Sequence, residues 1–201
     1  MEGAQLLYNH IEDVVVLDVG GATTDVHSVT EGTKEIQEKL VSPEPRAKRT
    51  VEGDLGVFVN AVNLVDLIGK EKVEEELGFE LDTLLAERNP IPLTEEEVNL
   101  IEILTREAVN TAVDRHVGKM RDLYGPTGRV KIAEGKDLTK IKWIVGTGGA
   151  LTRLEAGPKI LANVRKDRTK KLLPGTDAEV LIDHDYIMAS MGVMSKRFPE
   201  A

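Results

Sequence analysis

The stretch Val14-Val15-Val16-Leu17-Asp18-Val19-Gly20-Gly21-Ala22-Thr23-Thr24-Asp25-Val26 constrains the fold more than any other part of this sequence. An apolar run without alternation reads as a strand covered on both faces. It ends on an aspartate, turns through two glycines and leaves as a second strand-like run. A connection that short allows only an antiparallel hairpin. The turn also has the chemistry of an anion site. Glycines let the backbone approach closely and take positive φ, so consecutive N–H groups can converge on anionic oxygens. Thr23 and Thr24 add hydroxyl donors, and the strand-end carboxylate of Asp18 can hold a divalent cation through its waters. Hairpin turns favour glycine for their own sake. That does not account for an aspartate in a buried strand beside two glycines, two threonines and a second aspartate. On this reading Asp18 faces the metal, Gly20, Gly21 and Thr23 hold phosphate oxygens with Thr24 beside them, and Asp25 fixes the turn.

A related run, Gly146-Thr147-Gly148-Gly149, follows a second apolar strand. Its plain reading is a tight strand-to-helix turn. Glycines there also let a flat ring or a ribose lie against the backbone near a helix N-terminus. It is not the six-residue dinucleotide fingerprint, and the chain has no Gly-Lys-Thr phosphate loop. Glu52-Gly53-Asp54 reads as a loop with a helix cap or as a wall of a nucleotide cleft, with Arg46, Lys48 and Arg49 close in sequence.

Strands are expected at about 13–19, 24–30 and 34–41, giving a three-strand meander stopped by Ser42-Pro43-Glu44-Pro45. A helix is expected over 55–68, and short helices over 70–77 and 81–88. Thr94 stands three residues before Glu97, a capping-box spacing. Val98, Ile101, Leu104, Ala108 and Ala112 continue at helical period to about residue 119. Strands at 129–133 and 141–145 follow, then helices to about 155 and over 158–164. A strand at 179–182 and a helix over 184–196 capped by Asp183 close the chain. Trp143 is expected in the core. The order indicates an α/β fold, a mixed sheet covered by helices, with a helical segment at about 70–125.

The 201 residues can bury a substantial core. No apolar run approaches a membrane span, and the N-terminal residues lack the layout of a secretion signal. Zero cysteines excludes disulfides and a cysteine nucleophile, and these features together favour the cytoplasm. The net charge of −9 opposes general nucleic-acid binding. The basic run 165–171 reads as a solvated loop or, more sharply, as a docking patch for an acidic partner. His10, His27, His116 and His184 show no metal-ligand spacing, and no Gly-x-Ser-x-Gly elbow is present.

Asp18-Val19-Gly20-Gly21-Ala22-Thr23-Thr24-Asp25 resembles the second phosphate motif of the actin, sugar-kinase and heat-shock-chaperone superfamily. Gly146-Thr147-Gly148-Gly149-Ala150-Leu151 resembles its adenosine motif. The runs 18–28, Arg49-Thr50-Val51-Glu52-Gly53-Asp54-Leu55-Gly56 and Tyr186-Ile187-Met188-Ala189-Ser190-Met191-Gly192-Val193 more specifically resemble the MutL family. That family comprises glutamate mutase accessory proteins and is unrelated to the mismatch-repair protein of the same name. The resemblance spans residues 5–201. It implies a ribonuclease-H-like, actin-type ATPase lobe over 13–201, binding ATP with Mg²⁺. The family services an adenosylcobalamin-dependent aminomutase, using ATP to help release damaged cobalamin. By the same resemblance Asp18 is the metal-side aspartate, Gly20, Gly21 and Thr23 the phosphate turn, and Gly148 and Gly149 the adenosine contact. The superfamily has a first phosphate motif in an earlier lobe. Residues 1–12 then read as the end of an inter-lobe helix, and the chain as the C-terminal part of a longer ATPase, inactive by itself. A small-molecule kinase and a nucleotide-controlled actin-like scaffold are the alternative readings. The kinase lacks a compelling catalytic base here.

Overall fold

The computed structural model describes residues 1–126, 128–165 and 170–198. The expected hairpin forms β1 (Val14–Val19) and β2 (Thr24–Val29), paired antiparallel with Val19 opposite Thr24 and Asp18 opposite Asp25. β3 (Ala47–Glu52) adds antiparallel to β2. On the other side of β1, β6 (Trp143–Thr147) and then β7 (Glu179–Ile182) pair parallel. The sheet order is β3-β2-β1-β6-β7. A meander on one flank and parallel crossovers on the other make the ribonuclease-H-like arrangement, with β1 in the middle. β4 (Lys119–Gly125) and β5 (Gly128–Glu134) form a separate two-stranded ribbon.

Helices cover both faces. α1 (Glu2–Ile11) packs on the face of Val14 and Val16, with Ala4, Val29 and Val145 in a small core. The opposite face carries Val15, Leu17, Val19, Val26 and Ile144. There they meet the long α6 (Glu95–His116), together with α3 (Ala61–Ile68) and α8 (Gly157–Ala162). Val14 to Leu17 are all fully buried, as an unalternated apolar run requires. Val73 of α4 (Lys70–Leu77) and Leu81 of α5 (Leu81–Glu87) are buried in the same large core, so these helices extend the cover of the sheet. Trp143 is half-buried beside the smaller core.

The capping box of α6 forms as expected: Glu97 N–H donates to Thr94 Oγ1 at 3.2 Å, and Thr94 N–H donates to Glu97 at 3.3 Å. At the other end, buried His116 bridges Ser28 Oγ (2.8 Å) and Thr50 Oγ1 (2.9 Å), fastening α6 to β2 and β3.

Four boundaries differ from the sequence reading. The third meander strand is β3, not 34–41. Ile36 and Leu40 stand at helical spacing, and residues Lys34–Gln37 form a single turn, α2. The helix expected from residue 55 begins at Ala61, because the preceding N–H groups are drawn to the hairpin. Val57 N–H donates to Gly20 O, and Phe58 and Val59 N–H donate to Gly21 O. α6 ends at His116, three residues early, where the chain turns into the unanticipated β4. The last helix, α9 (Met188–Arg197), starts after Asp183 rather than on it. The basic run expected at 165–171 falls largely on 166–169, outside the described residues.

α1 and α9 cross at two glycines. A Cβ on Gly192 would stand 2.3 Å from Gly3 N, and one on Gly3 2.8 Å from Met188 O. The outer side of α9 carries exposed Ile187, Met191, Met194 and Phe198 in a stripe at helical period. No helix among the described residues is long and apolar enough to cross a membrane.

Candidate functional site

β1, β6 and β7 run parallel, so their carboxyl ends share one edge of the sheet, the edge where ligands of open α/β folds collect. Side-chain alternation sorts that edge by face. Asp18, Asp25, Arg49 and Thr147 lie on the α1 side, whereas Thr24 and Glu52 lie on the α6 side.

Asp18 is half-buried and pairs in register with Asp25 across the hairpin and with Thr147 in β6. Burial raises its carboxyl above the usual range, and the charge of Asp25 adds to this. Asp25 is held by Arg49, whose Nε and Nη2 donate to Oδ1 at 3.0 and 2.8 Å; Thr23 Oγ1 donates to Oδ2 at 3.3 Å. Asp25 therefore braces the turn.

The turn is built differently from the expectation of glycines at positive φ. Neither Gly20 nor Gly21 is among the residues with positive φ. Gly20 N–H donates to Thr23 O at 2.9 Å and closes the turn. The N–H groups of Gly21, Ala22 and Thr23 have no acceptor among the described residues, and these are the donors available to an anion. Thr24 Oγ1 donates to Leu55 O at 2.7 Å in the core, so this hydroxyl is removed from the donor set. The positive φ expected of the motif falls instead on Gly148, at 86°.

Gly148 joins the two glycine turns. A Cβ there would stand 2.4 Å from Val19 O and 2.6 Å from Asp18 Oδ1, so only a glycine lets β6 turn against the end of β1. Gly146 does something else. Its missing Cβ would strike Leu161 Cδ1 at 2.5 Å, so it admits α8 to the sheet. Gly149 opens α7 (Gly149–Arg153), is exposed and has nothing within 4 Å of a Cβ, which leaves free space beside Gly148.

Glu52, Gly53 and Asp54 stand next to the hairpin turn. Asn60 Nδ2 donates to both Ala22 O (2.8 Å) and Gly53 O (2.9 Å). Arg115 Nη1 donates to Glu52 Oε2 at 2.6 Å and to Asp54 Oδ1 at 2.8 Å, and its hydrogen bonds hold the Asp54 carboxyl below its usual range. These carboxylates are paired, Glu52 points to the α6 side, and Asp54 is seven residues ahead of α3 rather than its cap. The segment buttresses the turn.

Asp183, expected as a cap of the last helix rather than as a metal ligand with His184 and Asp185, also belongs to this edge. Its carboxylate accepts from Thr147 Oγ1 at 3.0 Å and from the N–H groups of Ile187 and Met188, both at 3.1 Å. An Asp after a strand followed by a helix looks like any cap, and only the parallel pairing of β6 and β7 reveals the second bond.

Among the described residues no three acidic or histidine side chains converge into a metal cage. The donor set fits a hydrated cation better than a bare one. One half-buried carboxylate, raised by a second negative charge, gains from a cation that keeps its waters and takes its other ligands from phosphate.

A ribonuclease-H-like sheet with an Asp-x-Gly-Gly hairpin and a glycine turn meeting at its carboxyl edge defines an α/β lobe of that fold class. The profile of the MutL family, described as MutL protein, matches residues 1–201, and the chain belongs to that family. It is 34% identical over 200 residues to Protein MutL of Clostridium tetanomorphum, an alignment covering 94% of this chain and 43% of that protein. The chain thus spans less than half the length of this curated relative. Among solved structures, a non-polymerisable quadruple mutant of pCBH ParM is similar at 16% identity with a TM-score of 0.44, covering 93% of this chain and 47% of that one.

Proposed function

We propose that this chain is the nucleotide-binding lobe of a cytoplasmic MutL-type reactivating protein that binds Mg·ATP. In the full-length protein, ATP would help release damaged cobalamin from an adenosylcobalamin-dependent aminomutase of the glutamate mutase type. The observation that carries the reading is the seat of Gly148 against the Asp18 carboxylate, which brings a phosphate-type turn and an adenosine-type turn to one point. Gly21, Ala22 and Thr23 offer N–H groups to terminal phosphate oxygens, and the open space at Gly149 takes the adenosine. Asp18 is the residue that would hold Mg²⁺, through its waters, and the ion would supply neutralisation of phosphate charge.

A second lobe is needed for the other side of the nucleotide. The length of the curated relative and the exposed apolar stripe on α9 both agree with further polypeptide packing on this one. Nucleotide held between lobes biases their relative position, and its loss or hydrolysis releases that bias. The test is to mix the full-length protein with a glutamate mutase inactivated by damaged cobalamin and supply fresh cofactor. Restoration of mutase activity that requires ATP and fails with Asp18→Ala supports the proposal. Restoration that is equal without ATP, or absent, overturns it.

A further inference from the structure

We propose that Asp183 is a positioning residue of the nucleotide site, holding the Gly146–Gly149 turn in place through Thr147. The proposal rests on the nucleotide-site reading above. Thr147 is buried at the end of β6, between Gly146 and Gly148, and among the described residues its hydroxyl has one partner, Asp183 Oδ2 at 3.0 Å. The backbone is tied at the same place, with Asp183 N–H donating to Gly146 O at 2.9 Å. The two bonds clamp residues 146 and 147 to the end of β7 from the side opposite Asp18. Gly148 comes next, in a conformation with φ of 86° and within touching distance of Val19 and Asp18. The parallel pairing with β1 holds the peptide from one side, and the two bonds to Asp183 hold it from the other, so that it keeps the close approach that puts the two turns together.

The carboxylate is suited to this because it serves two elements at once. Its oxygens also accept from Ile187 and Met188 N–H at the start of α9. An environment of three donors is a fit for the acceptor-only side chain of aspartate and a poor fit for asparagine, whose amide would face a donor. α9 in turn meets α1 at Gly3 and Gly192. One side chain therefore sets the adenosine-type turn relative to both helices on that face.

The experiment separates this role from simple capping of α9. In the full-length protein, Thr147→Val removes only the bond to the turn and leaves both capping bonds. ATP affinity is measured by calorimetry with and without Mg²⁺, well below the melting temperature. Thr147→Val and Asp183→Asn are each expected to weaken ATP binding by about three- to tenfold. The double variant should be no weaker than Asp183→Asn alone, and Thr147→Ser should restore wild-type affinity. In Thr147→Val, which leaves the charge of Asp183 on Asp18 in place, the ratio of affinities with and without Mg²⁺ should stay at the wild-type value, because the effect enters through the turn rather than the ion. Unchanged affinity in Thr147→Val, with the wild type binding normally, overturns the role of Asp183 alone. A wild-type protein that binds no nucleotide overturns the site reading and this role with it.

Discussion

Asp18 is a residue whose placement costs stability and suits a ligand. Burial and the facing Asp25 raise its carboxyl, so the folded state favours the neutral form. The ionised group therefore destabilises the fold once pH exceeds its unfolded value, and the cost is complete above the raised folded value. Asp18→Asn is expected to raise the melting temperature at neutral pH while weakening the Mg²⁺ dependence of ATP binding. A scan of both variants with and without Mg·ATP checks the pair of effects. Mg²⁺ affinity should also fall, as pH is lowered, earlier than an ordinary carboxylate would allow; a Mg²⁺ titration across pH reads this. The two buried histidines act in the opposite direction. Burial lowers His27 to about 4 and His116 to about 3. The unfolded chain gains these protons first, near pH 6.5. Stability is then complete above that pH and is lost as pH falls toward 4 and 3. Urea midpoints should drop between pH 7.5 and 5, a window above the carboxylates' ordinary range. A flat midpoint would show that neither ring is buried neutral.

At the scale of elements, the hairpin turn depends on the loop that grips it. Gly56 lies so close that a Cβ would stand 2.2 Å from Ala22 C and 2.4 Å from Ala22 O. Gly56→Ala is expected to cost about 1–3 kcal/mol from overpacking, at roughly 2–4 °C of melting temperature per kcal/mol, and to weaken ATP binding. Thr94→Ala is the control: losing the α6 cap costs about 1 kcal/mol and leaves ATP affinity unchanged. Thermal melts paired with calorimetry separate the two. What the sequence made legible follows the same division. The β1 run, the Thr94 capping box and the strand at 179–182 depend on local pattern, and all three form where expected. The third strand was misplaced because β3 is a polar edge strand whose pairing is set by β2. The start of α3 was misplaced because residues 57–59 spend their N–H groups on Gly20 and Gly21. The same limit applies at the site. Asp18 and Gly148 were named from their motifs, but their contact comes from the parallel pairing of β1 and β6. The burial of the Thr24 hydroxyl and the second bond of Asp183 arise from tertiary contacts that no local pattern records.

Over the whole molecule, the parallel strands collect Asp18, Gly148 and Asp183 at one edge, while the stripe on α9 leaves an apolar face uncovered. Both features suit one side of a closing nucleotide clamp. As proposed above, the Asp18 turn and the Gly148 turn together form half of an Mg·ATP site. The most direct test is calorimetric titration of Mg·ATP into the full-length protein and its Asp18→Ala variant at neutral pH. Saturable binding by the wild type is expected, with a loss of at least tenfold in the variant, about 1.4 kcal/mol, and most of the Mg²⁺ dependence gone. Equal Mg·ATP affinity in the two proteins would contradict it.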